Sequence, residues 1–407
     1  MSRRGLLALC LLLGACQRSS SEPAPAEPVS SAAHTSAPTP VAAPVAEAAR
    51  PAASTPAVAP LAVCRTDGAP PFEAARRYYD EGRFEEALSC AAQAAALDPD
   101  FAPAHAERGV ALAALDRVPE AQMAFARALA IDPGSPDALL GAAHLYAVQL
   151  PSSRERDELG LLYAEQGLSQ PGMPSDLVVQ FALLSAMAFN DLGQAEEALA
   201  RASIVLAREP ESHEAIYERA LALFELCRFA DAKAAFTALV NDVEHGPHAH
   251  HHLGLLLERE GKWKQAQVHF DKARELAPED FPVPPLPSEP DFRAAVARAV
   301  EGLPEDMRKD LQGVPVTTEE IPADADLLSG QPPLSPTILG LFRGPPLAEP
   351  CDGTETPCRS VVLYRRNLAR AVNSPAELVE QIQVTLLHEV GHLRGEDDEE
   401  LAARGLE

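Results

Sequence analysis

An internal repeat with a period of 34 residues constrains the fold of this chain more than any other feature. Ala87 and Ala121 mark two neighbouring units, and Ala198, Ala232 and Ala266 mark a second set with the same spacing. A period of roughly 20–50 residues indicates short units that bury their apolar faces by stacking on one another. Small residues recur twelve positions before each marker alanine, at Ala75, Gly109, Ala186, Ala220 and Gly254. The spacing therefore predicts an α-solenoid.

Two segments, GRFEEAL at 82–88 and GKWKQA at 261–266, resemble the tetratricopeptide repeat, whose unit is a helical hairpin. We expect six units within residues 67–281. The third unit, about residues 136–178, has about nine extra residues around Leu150 to Asp157, which predicts a longer hairpin loop. The resemblance implies a concave surface that binds a protein or peptide; the simpler alternative is a stack of helices without a ligand.

The N-terminus has the pattern of an export signal, because two arginines precede the short apolar run Gly5–Leu13. The stretch Leu13–Cys16 resembles a bacterial lipobox, which makes residues 1–16 a lipoprotein signal peptide and Cys16 the lipidated residue. The alternative is an ordinary signal peptide with a chance cysteine. Since Gln17 rather than aspartate follows, the resemblance implies an outer-membrane anchor in the bacterial envelope, with the protein facing the periplasm. No other apolar run approaches the ~18 residues of a spanning helix, so the chain is expected to be anchored.

Residues 17–66 are dominated by alanine, proline, serine, threonine and glutamate. Such a segment buries too little apolar surface to offset its ordering entropy, so we expect a disordered tether. The net charge of −26 weighs against nucleic acid or an anionic membrane surface as a partner, because both are negatively charged.

The cysteines suggest a disulfide-bonded protein in an oxidising compartment. Cys351 and Cys358 are close enough in sequence to form a small loop, and Cys64 and Cys90 are a second candidate pair. Cys227 is then expected to remain as a buried thiol within a helical repeat.

A proline-rich run at 281–290 breaks any helix and marks a domain boundary, so residues 282–407 form a second domain. A helix is expected over Asp291–Gly302 with Asp291 as its N-cap. Ser374 and Pro375 open a second helix that continues to Leu393 and ends at Gly395. Three strands are predicted, at Val314–Ile321 (an edge strand because of Pro315), Ile338–Phe342 and Ser360–Tyr364. The expected fold is mainly α, with a solenoid followed by a small α+β domain.

The second helix carries the motif HExxH. His388 and His392 are four residues apart, so both rings project from one helix face and can bind a single zinc ion. Glu389 is then placed to act as general base for an attacking water.

A catalytic zinc site needs a third protein ligand. Fifteen residues follow His392 and none is histidine, which favours one of the nearby acids unless an upstream residue is used. Gly395 lets the backbone reverse toward the metal. In the longer pattern HExxHxxGxx(H/D), Asp398 occupies the position of the third ligand, and Asp397 is the second choice. The acidic candidates are Glu396, Asp397, Asp398, Glu399 and Glu400.

Together, residues 338–347 (ILGLFRGPPL), 362–368 (VLYRRNL) and 385–392 (TLLHEVGH) resemble the minimal zincin-like metallopeptidases of bacteria. The resemblance implies hydrolysis of peptide bonds, and it implies that the strand ending at Tyr364 is a sheet edge along which an extended substrate aligns. All five methionines precede the motif, so the Met-turn of the metzincins is not expected. The alternatives are a non-catalytic envelope scaffold with a structural or vestigial zinc site, and a metal-delivery lipoprotein.

A histidine-rich stretch, His245–His252, invites the hypothesis of a second metal site, because histidine clusters bind zinc or nickel. The favoured interpretation is a polar turn between repeats that runs into the next helix, with the rings partly packed.

Overall fold

The computed structural model describes residues 63–351 and 357–406 of the 407-residue chain. The predicted signal peptide, Cys16 and the tether up to residue 62 lie outside the described residues. Within the described part, helices dominate and one three-stranded sheet lies near the C-terminal end. The predicted fold class is confirmed: an α-solenoid is followed by a small α+β domain.

The described chain begins with six stacked helical hairpins. First helices of neighbouring hairpins lie against one another through the fifth hairpin, whereas second helices mainly contact their own partner and the next first helix. The first helices therefore line the concave side of the stack, which we call the inner surface. The hairpins are α1 (Pro71–Asp80) with α2 (Phe84–Leu97), α3 (Ala102–Ala114) with α4 (Val118–Ile131), α5 (Pro136–His144) with α6 (Arg154–Leu168), α7 (Ser175–Asp191) with α8 (Ala195–Leu206), α9 (His213–Glu225) with α10 (Phe229–Ala238), and α11 (Gly246–Arg259) with α12 (Trp263–Leu276).

The recurring small residues let an aromatic ring of the second helix reach the first. A Cβ atom added at Gly109 would lie 2.6 Å from the ring of Phe125, and one at Gly254 would lie 2.5 Å from Phe270. Both distances are far below ordinary van der Waals contact. The small residues of the 34-residue repeat therefore mark the positions where the two helices of a hairpin approach each other most closely.

The third hairpin absorbs its extra residues in two ways. A π-helical turn, Leu145–Gln149, continues α5, and a loop of residues 150–153 leads to α6. The other hairpins connect their helices through three residues, so the prediction of a longer loop here is correct.

The C-terminal domain starts with α13 (Glu289–Gly302), whose predicted N-cap is wrong. Ser288, not Asp291, caps this helix, and its hydroxyl accepts a hydrogen bond from the backbone N–H of Asp291. Asp291 instead lies in the first turn. The remaining elements are α14 (Glu305–Asp310), β1 (Val316–Glu319), α15 (Asp324–Leu327), β2 (Gly340–Arg343), β3 (Ser360–Tyr364), α16 (Arg365–Arg370), α17 (Pro375–Arg394) and α18 (Asp398–Ala402).

The sheet order is β1–β3–β2, with β1 parallel and β2 antiparallel to β3. The prediction that the strand ending at Tyr364 is a sheet edge is therefore wrong: β3 is the central strand and all five of its residues are buried. The edges are β1, as Pro315 suggested, and β2. Helix α17 packs against β2 and β3 through an apolar face, which includes Leu378, Ile382, Leu386 and Val390.

The C-terminal domain docks on the last hairpin through α16. The carboxylate of Glu258, on α11, is 3% exposed and pairs with Arg366 at 2.9 Å and also with Arg370. The Arg366 guanidinium lies 4.6 Å from the ring of Trp263, and that of Arg370 lies 5.0 Å from Phe270. The two domains therefore share a partly buried charged interface.

The structure contains the disulfides Cys64–Cys90 and Cys351–Cys358. Cys227 is a free thiol within the fifth helical hairpin, as predicted, but it is half-buried rather than buried, because it lies in the turn after α9 with φ of 55°. In the part of the chain that is described, no helix has the length and apolar character needed to cross a bilayer.

Candidate metal centre

The HExxH motif lies on helix α17, and both ends of this helix are capped. The hydroxyl of Ser374 accepts a hydrogen bond from the backbone N–H of Glu377 at the start, and Pro375 occupies the first helical position. Gly395 ends the helix in the left-handed conformation, with φ of 94°. The apolar face of α17 packs on the sheet, so the orientation of the histidine face is set.

His388, His392 and Asp398 come together at this face. The Nε2 atoms of His388 and His392 lie 3.0 Å apart. One carboxylate oxygen of Asp398 lies 3.2 Å from His392 Nε2 and 3.6 Å from His388 Nε2. Among residues 63–351 and 357–406, this is the one group of three or more such side chains arranged to hold a metal ion.

The hydrogen bonds of the two rings fit a metal ligand set. His388 Nδ1 lies 2.6 Å from the carbonyl oxygen of Leu406, and His392 Nδ1 lies 3.0 Å from that of Glu396. A carbonyl oxygen only accepts, so both Nδ1 atoms donate and, in the neutral rings, both Nε2 atoms carry lone pairs. These lone pairs face each other and the Asp398 carboxylate, so a cation between them would satisfy all three groups.

Two adjacent aspartates have different roles in the structure. Asp397 is the N-cap of α18: its carboxylate accepts from the backbone N–H of Glu400, and the Glu400 side chain accepts from the backbone N–H of Asp397. Asp398 is the first residue of α18 and is turned toward the histidines. The structure thus places Asp398, rather than Asp397, at the candidate metal centre.

The short helix α18 reaches this position because Gly391 leaves room for it. A Cβ atom at Gly391 would lie 2.3 Å from Leu401 Cδ2 on α18. Leu401 is fully buried, so it has little space to move aside. Gly391 lies inside the HExxH motif, yet its contact with a later helix could not be read from the motif spacing.

Glu389 lies beside the face of α17 that carries His388 and His392, and its side chain packs against strand β2. The residue is 5% exposed. This burial raises the pKa of Glu389 to about 7, although the charge of His392 acts to lower it. The backbone N–H of Phe342 donates to its carboxylate. A Cβ atom at Gly340 would lie 2.8 Å from Glu389 Oε1, so only glycine permits this close approach. No motif or spacing in the sequence marks Gly340 as a contact of Glu389.

The two histidines differ in their affinity for a proton. Burial lowers the pKa of His388. Burial also acts to lower the pKa of His392, but the hydrogen bond to Asp398 and the charge of Glu389 outweigh it, so this pKa is raised.

Strand β2 has an outer backbone edge beside Glu389, and no other strand of the described residues pairs with it. The N–H of Tyr364 donates to the carbonyl of Leu339, so by the alternation of an antiparallel ladder Leu341 and Arg343 also face β3. The amides of Gly340 and Phe342 therefore point away from the sheet, toward the side on which Glu389 lies. The edge beside the candidate site is thus β2, in place of the predicted β3.

The segment after β2 forms a wall near the site. The backbone N–H of Leu347 donates to the carbonyl of Leu393, and the Arg359 guanidinium donates to the carbonyls of Pro345 and Pro346. The Cys351–Cys358 disulfide follows this wall. Residues 352–356 inside the disulfide loop are not described.

The histidine-rich stretch is part of a packed helix. His245 precedes α11 and the others lie within it; His252 stacks on Phe236 at 4.6 Å and His251 on Phe281 at 4.8 Å between ring centroids. Burial lowers the pKa of both His251 and His252. The described residues thus place these rings in aromatic packing, and no three-residue metal group includes them.

Comparison with protein families matches two parts of the chain. Residues 72–136 and 183–236, and separately residues 247–280, match tetratricopeptide repeat families. Residues 311–406 match the zincin-like metallopeptidase family. A search of curated proteins finds no match.

Solved structures similar to this chain include PilW, the pilF protein of Pseudomonas aeruginosa and YrrB. PilW, a widely conserved type IV pilus biogenesis factor, is 21% identical, covers 51% of this chain and 92% of its own, and has a TM-score of 0.43. The pilF protein of Pseudomonas aeruginosa is 16% identical, with coverage of 51% and 90% and a TM-score of 0.43. YrrB, a repeat protein with an unusual peptide-binding site, is 18% identical, with coverage of 47% and 94% and a TM-score of 0.39. The family matches, together with the fold, identify this chain as a protein of tetratricopeptide repeats with a C-terminal zincin-like metallopeptidase domain.

Proposed function

We propose that the protein is a zinc-dependent metallopeptidase. The observation that carries the proposal is the convergence of His388, His392 and Asp398 beside a buried carboxyl group, Glu389. The ring tautomers leave both Nε2 atoms available as ligands, which suits zinc, an ion that accepts nitrogen and carboxylate ligands. A structural zinc site has no use for a neighbouring general base, so the position of Glu389 favours catalysis.

Zinc held by these three residues would supply a Lewis acid next to the substrate carbonyl and would make water more acidic. Glu389 takes the proton from the attacking water and later delivers it to the leaving amine. The carbonyls of Leu406 and Glu396 hold the two imidazoles in the orientation that presents Nε2.

The substrate is an extended polypeptide that pairs with the outer edge of β2, where it displaces the Glu389 carboxylate from the Phe342 N–H. The outward amides of Gly340 and Phe342 lie directly above Glu389, so a strand added there brings its own backbone carbonyl to the metal side of the base. A substrate without regular structure meets this requirement, whereas a folded helix does not.

The repeat domain recruits a protein partner or substrate, since repeats of this class commonly present a concave binding surface. Residues 1–62 supply the rest of the proposal: a lipid on Cys16 holds the protein at the bacterial envelope, facing the periplasm, and the alanine- and proline-rich tether gives it reach. The two disulfides suit such an oxidising compartment.

Zinc content and cleavage, measured on the same preparations, test the catalytic proposal. The chain from Gln17 onward should bind one zinc ion and cleave an unfolded protein such as a reduced, carboxymethylated globular domain. Glu389→Gln should keep the zinc and lose at least a hundredfold in rate, because it removes the base and leaves the ligands. A protein without zinc would refute the proposal. Zinc without cleavage of any unfolded substrate would point instead to the non-catalytic scaffold.

A further inference from the structure

An open cleft of about 670 Å³ separates the last hairpin from the C-terminal domain. One wall is formed by Arg259 and Trp263, from the end of α11 and the start of α12. The other wall is the segment from Thr318 to Asp324, which contains the end of β1 and the residues after it. A volume of this size is typical of ligand sites, and the position between two domains is a common one for them.

The C-terminal-domain wall of the cleft is a sheet edge without a strand partner. The N–H of Val361 donates to the carbonyl of Pro315. In a parallel pair, every second residue of a strand forms its hydrogen bonds with the neighbouring strand. By this alternation Thr317 and Glu319 also bond to β3. The N–H and C=O groups of Thr318 consequently point away from β3, and Thr318 lines the cleft. Within the described residues, β1 has no strand on this side. This edge is the opposite one from β2 and the metal centre.

The side chains exposed in the cleft are mostly acidic. Its two arginines, Arg259 and Arg365, are only 8% and 13% exposed, because they are held by Asp324 and Glu320. Asp324 is 67% exposed and Glu320 is 36% exposed. Glu320 also pairs with Arg366, which is 23% exposed, so in each of these ion pairs the carboxylate is the more exposed partner.

An aromatic surface completes the cleft. Trp263 is 41% exposed, although Arg366 covers part of its ring at 4.6 Å. Exposed tryptophan is a frequent anchor of protein contacts, and its ring face also attracts cations.

We infer that this cleft binds an extended peptide segment rich in lysine or arginine, which adds as a strand to the free edge of β1. Backbone hydrogen bonds to Thr318 supply the pairing, the exposed carboxylates select basic side chains, and Trp263 packs against the segment. The site is separate from the metal centre, so it would give the enzyme a second contact with a substrate or partner protein. Four residues of β1 span about 13 Å, so a segment of four to six residues fills it.

Trp263 makes the inference directly measurable, because it is the only tryptophan in the chain. We would titrate the full chain carrying Glu389→Gln, which prevents cleavage, with an eight-residue peptide of alternating lysine and valine. A saturable change in tryptophan fluorescence is expected, and it should weaken as salt screens the carboxylates. A peptide of alternating glutamate and valine should not bind.

Two controls separate strand addition from charge attraction. A lysine–valine peptide that is N-methylated at alternate positions keeps its charge but loses its pairing edge, and it should bind at least tenfold more weakly. Thr318→Pro removes the free N–H without breaking a bond to β3, so it should weaken the unmodified peptide by a similar factor. Thr317→Val, which keeps the edge, should bind as the parent does.

The inference is overturned if the N-methylated and unmodified peptides bind equally, since charge alone would then explain the binding. It is also overturned if the basic peptide does not bind at millimolar concentration, or if the acidic peptide binds better. The peptide comparison needs no protein variant, so it stands even if Thr318→Pro fails to fold. Neither result depends on zinc or cleavage, and the proposed activity is judged separately.

Discussion

Gly340→Ala tests whether the strand β2 contacts Glu389, the proposed general base, directly. The added methyl group would lie 2.8 Å from Glu389 Oε1, 2.8 Å from Thr385 Cγ2 and 3.0 Å from Glu389 Cγ. Ordinary contact distances begin near 3.4 Å, so either the Glu389 side chain or the strand must shift by about 0.5–1 Å. Thr385 is β-branched and buried, and it cannot turn away easily.

The expected effect follows from the size of this shift. A displacement of about 1 Å at a catalytic group can lower a rate roughly a hundredfold, so we expect kcat to fall by about 10- to 100-fold. Overpacking of this kind costs about 1–3 kcal/mol of unfolding free energy. The zinc content should not change, because no metal ligand is touched.

Gly302→Ala is the matched control. It makes the same chemical change in the same domain, and an added Cβ there meets no atom within 4 Å. The measurements are urea unfolding, zinc analysis and cleavage rates for both variants and the parent. Unchanged stability and activity in Gly340→Ala would refute the close approach. Loss of zinc together with activity would show instead that Gly340 supports the ligand geometry.

Three further substitutions test the two aspartates and the carboxyl group of Glu225. Asp398→Asn should lower zinc affinity by at least tenfold in a competition titration. Asp397→Asn should retain zinc, because asparagine is also a good N-cap. Equal losses of zinc affinity in both variants would contradict the assignment of Asp398 as the third ligand. Burial raises the pKa of Glu225 from 4.5 to about 7, so between these values the unfolded chain binds fewer protons and stability falls as pH rises. Glu225→Gln should therefore stabilise the protein by about 1–3 kcal/mol above pH 7 and have little effect near pH 4, measured by urea unfolding; the same gain at both pH values would contradict this reasoning.

Much of the helical architecture could be predicted from the sequence, because its causes are local. The 34-residue period reflects hairpins in which a ring such as that of Phe125 needs a small residue opposite it. The helix α17 has its start and stop signals, Ser374 and Gly395, and its two histidines at the spacing of one turn. These patterns depend on residues close in sequence, and no tertiary information is needed to recognise them.

The order of the strands and the details of the site depend on contacts between distant residues. The sequence of β3 does not indicate that β1 pairs with it in parallel on the side opposite to β2. The prediction that β3 is a sheet edge is wrong for this reason. The choice between Asp397 and Asp398 likewise depends on the capping box of α18, a helix of five residues with no apolar period. Gly340 is buried against Glu389 from 49 positions away in sequence.

The largest change from the sequence-based view concerns the repeats themselves. A repeat domain that only recruits partners would keep its inner surface open, but α11 uses Glu258 to hold Arg366 and Arg370 of the second domain. A carboxylate that is 3% exposed is costly to leave unpaired, so separating the domains would strand a buried charge. The last hairpin is therefore a platform for the metallopeptidase domain. The orientation of the earlier hairpins relative to the candidate metal centre is therefore set by α16, which leads from β3 toward α17.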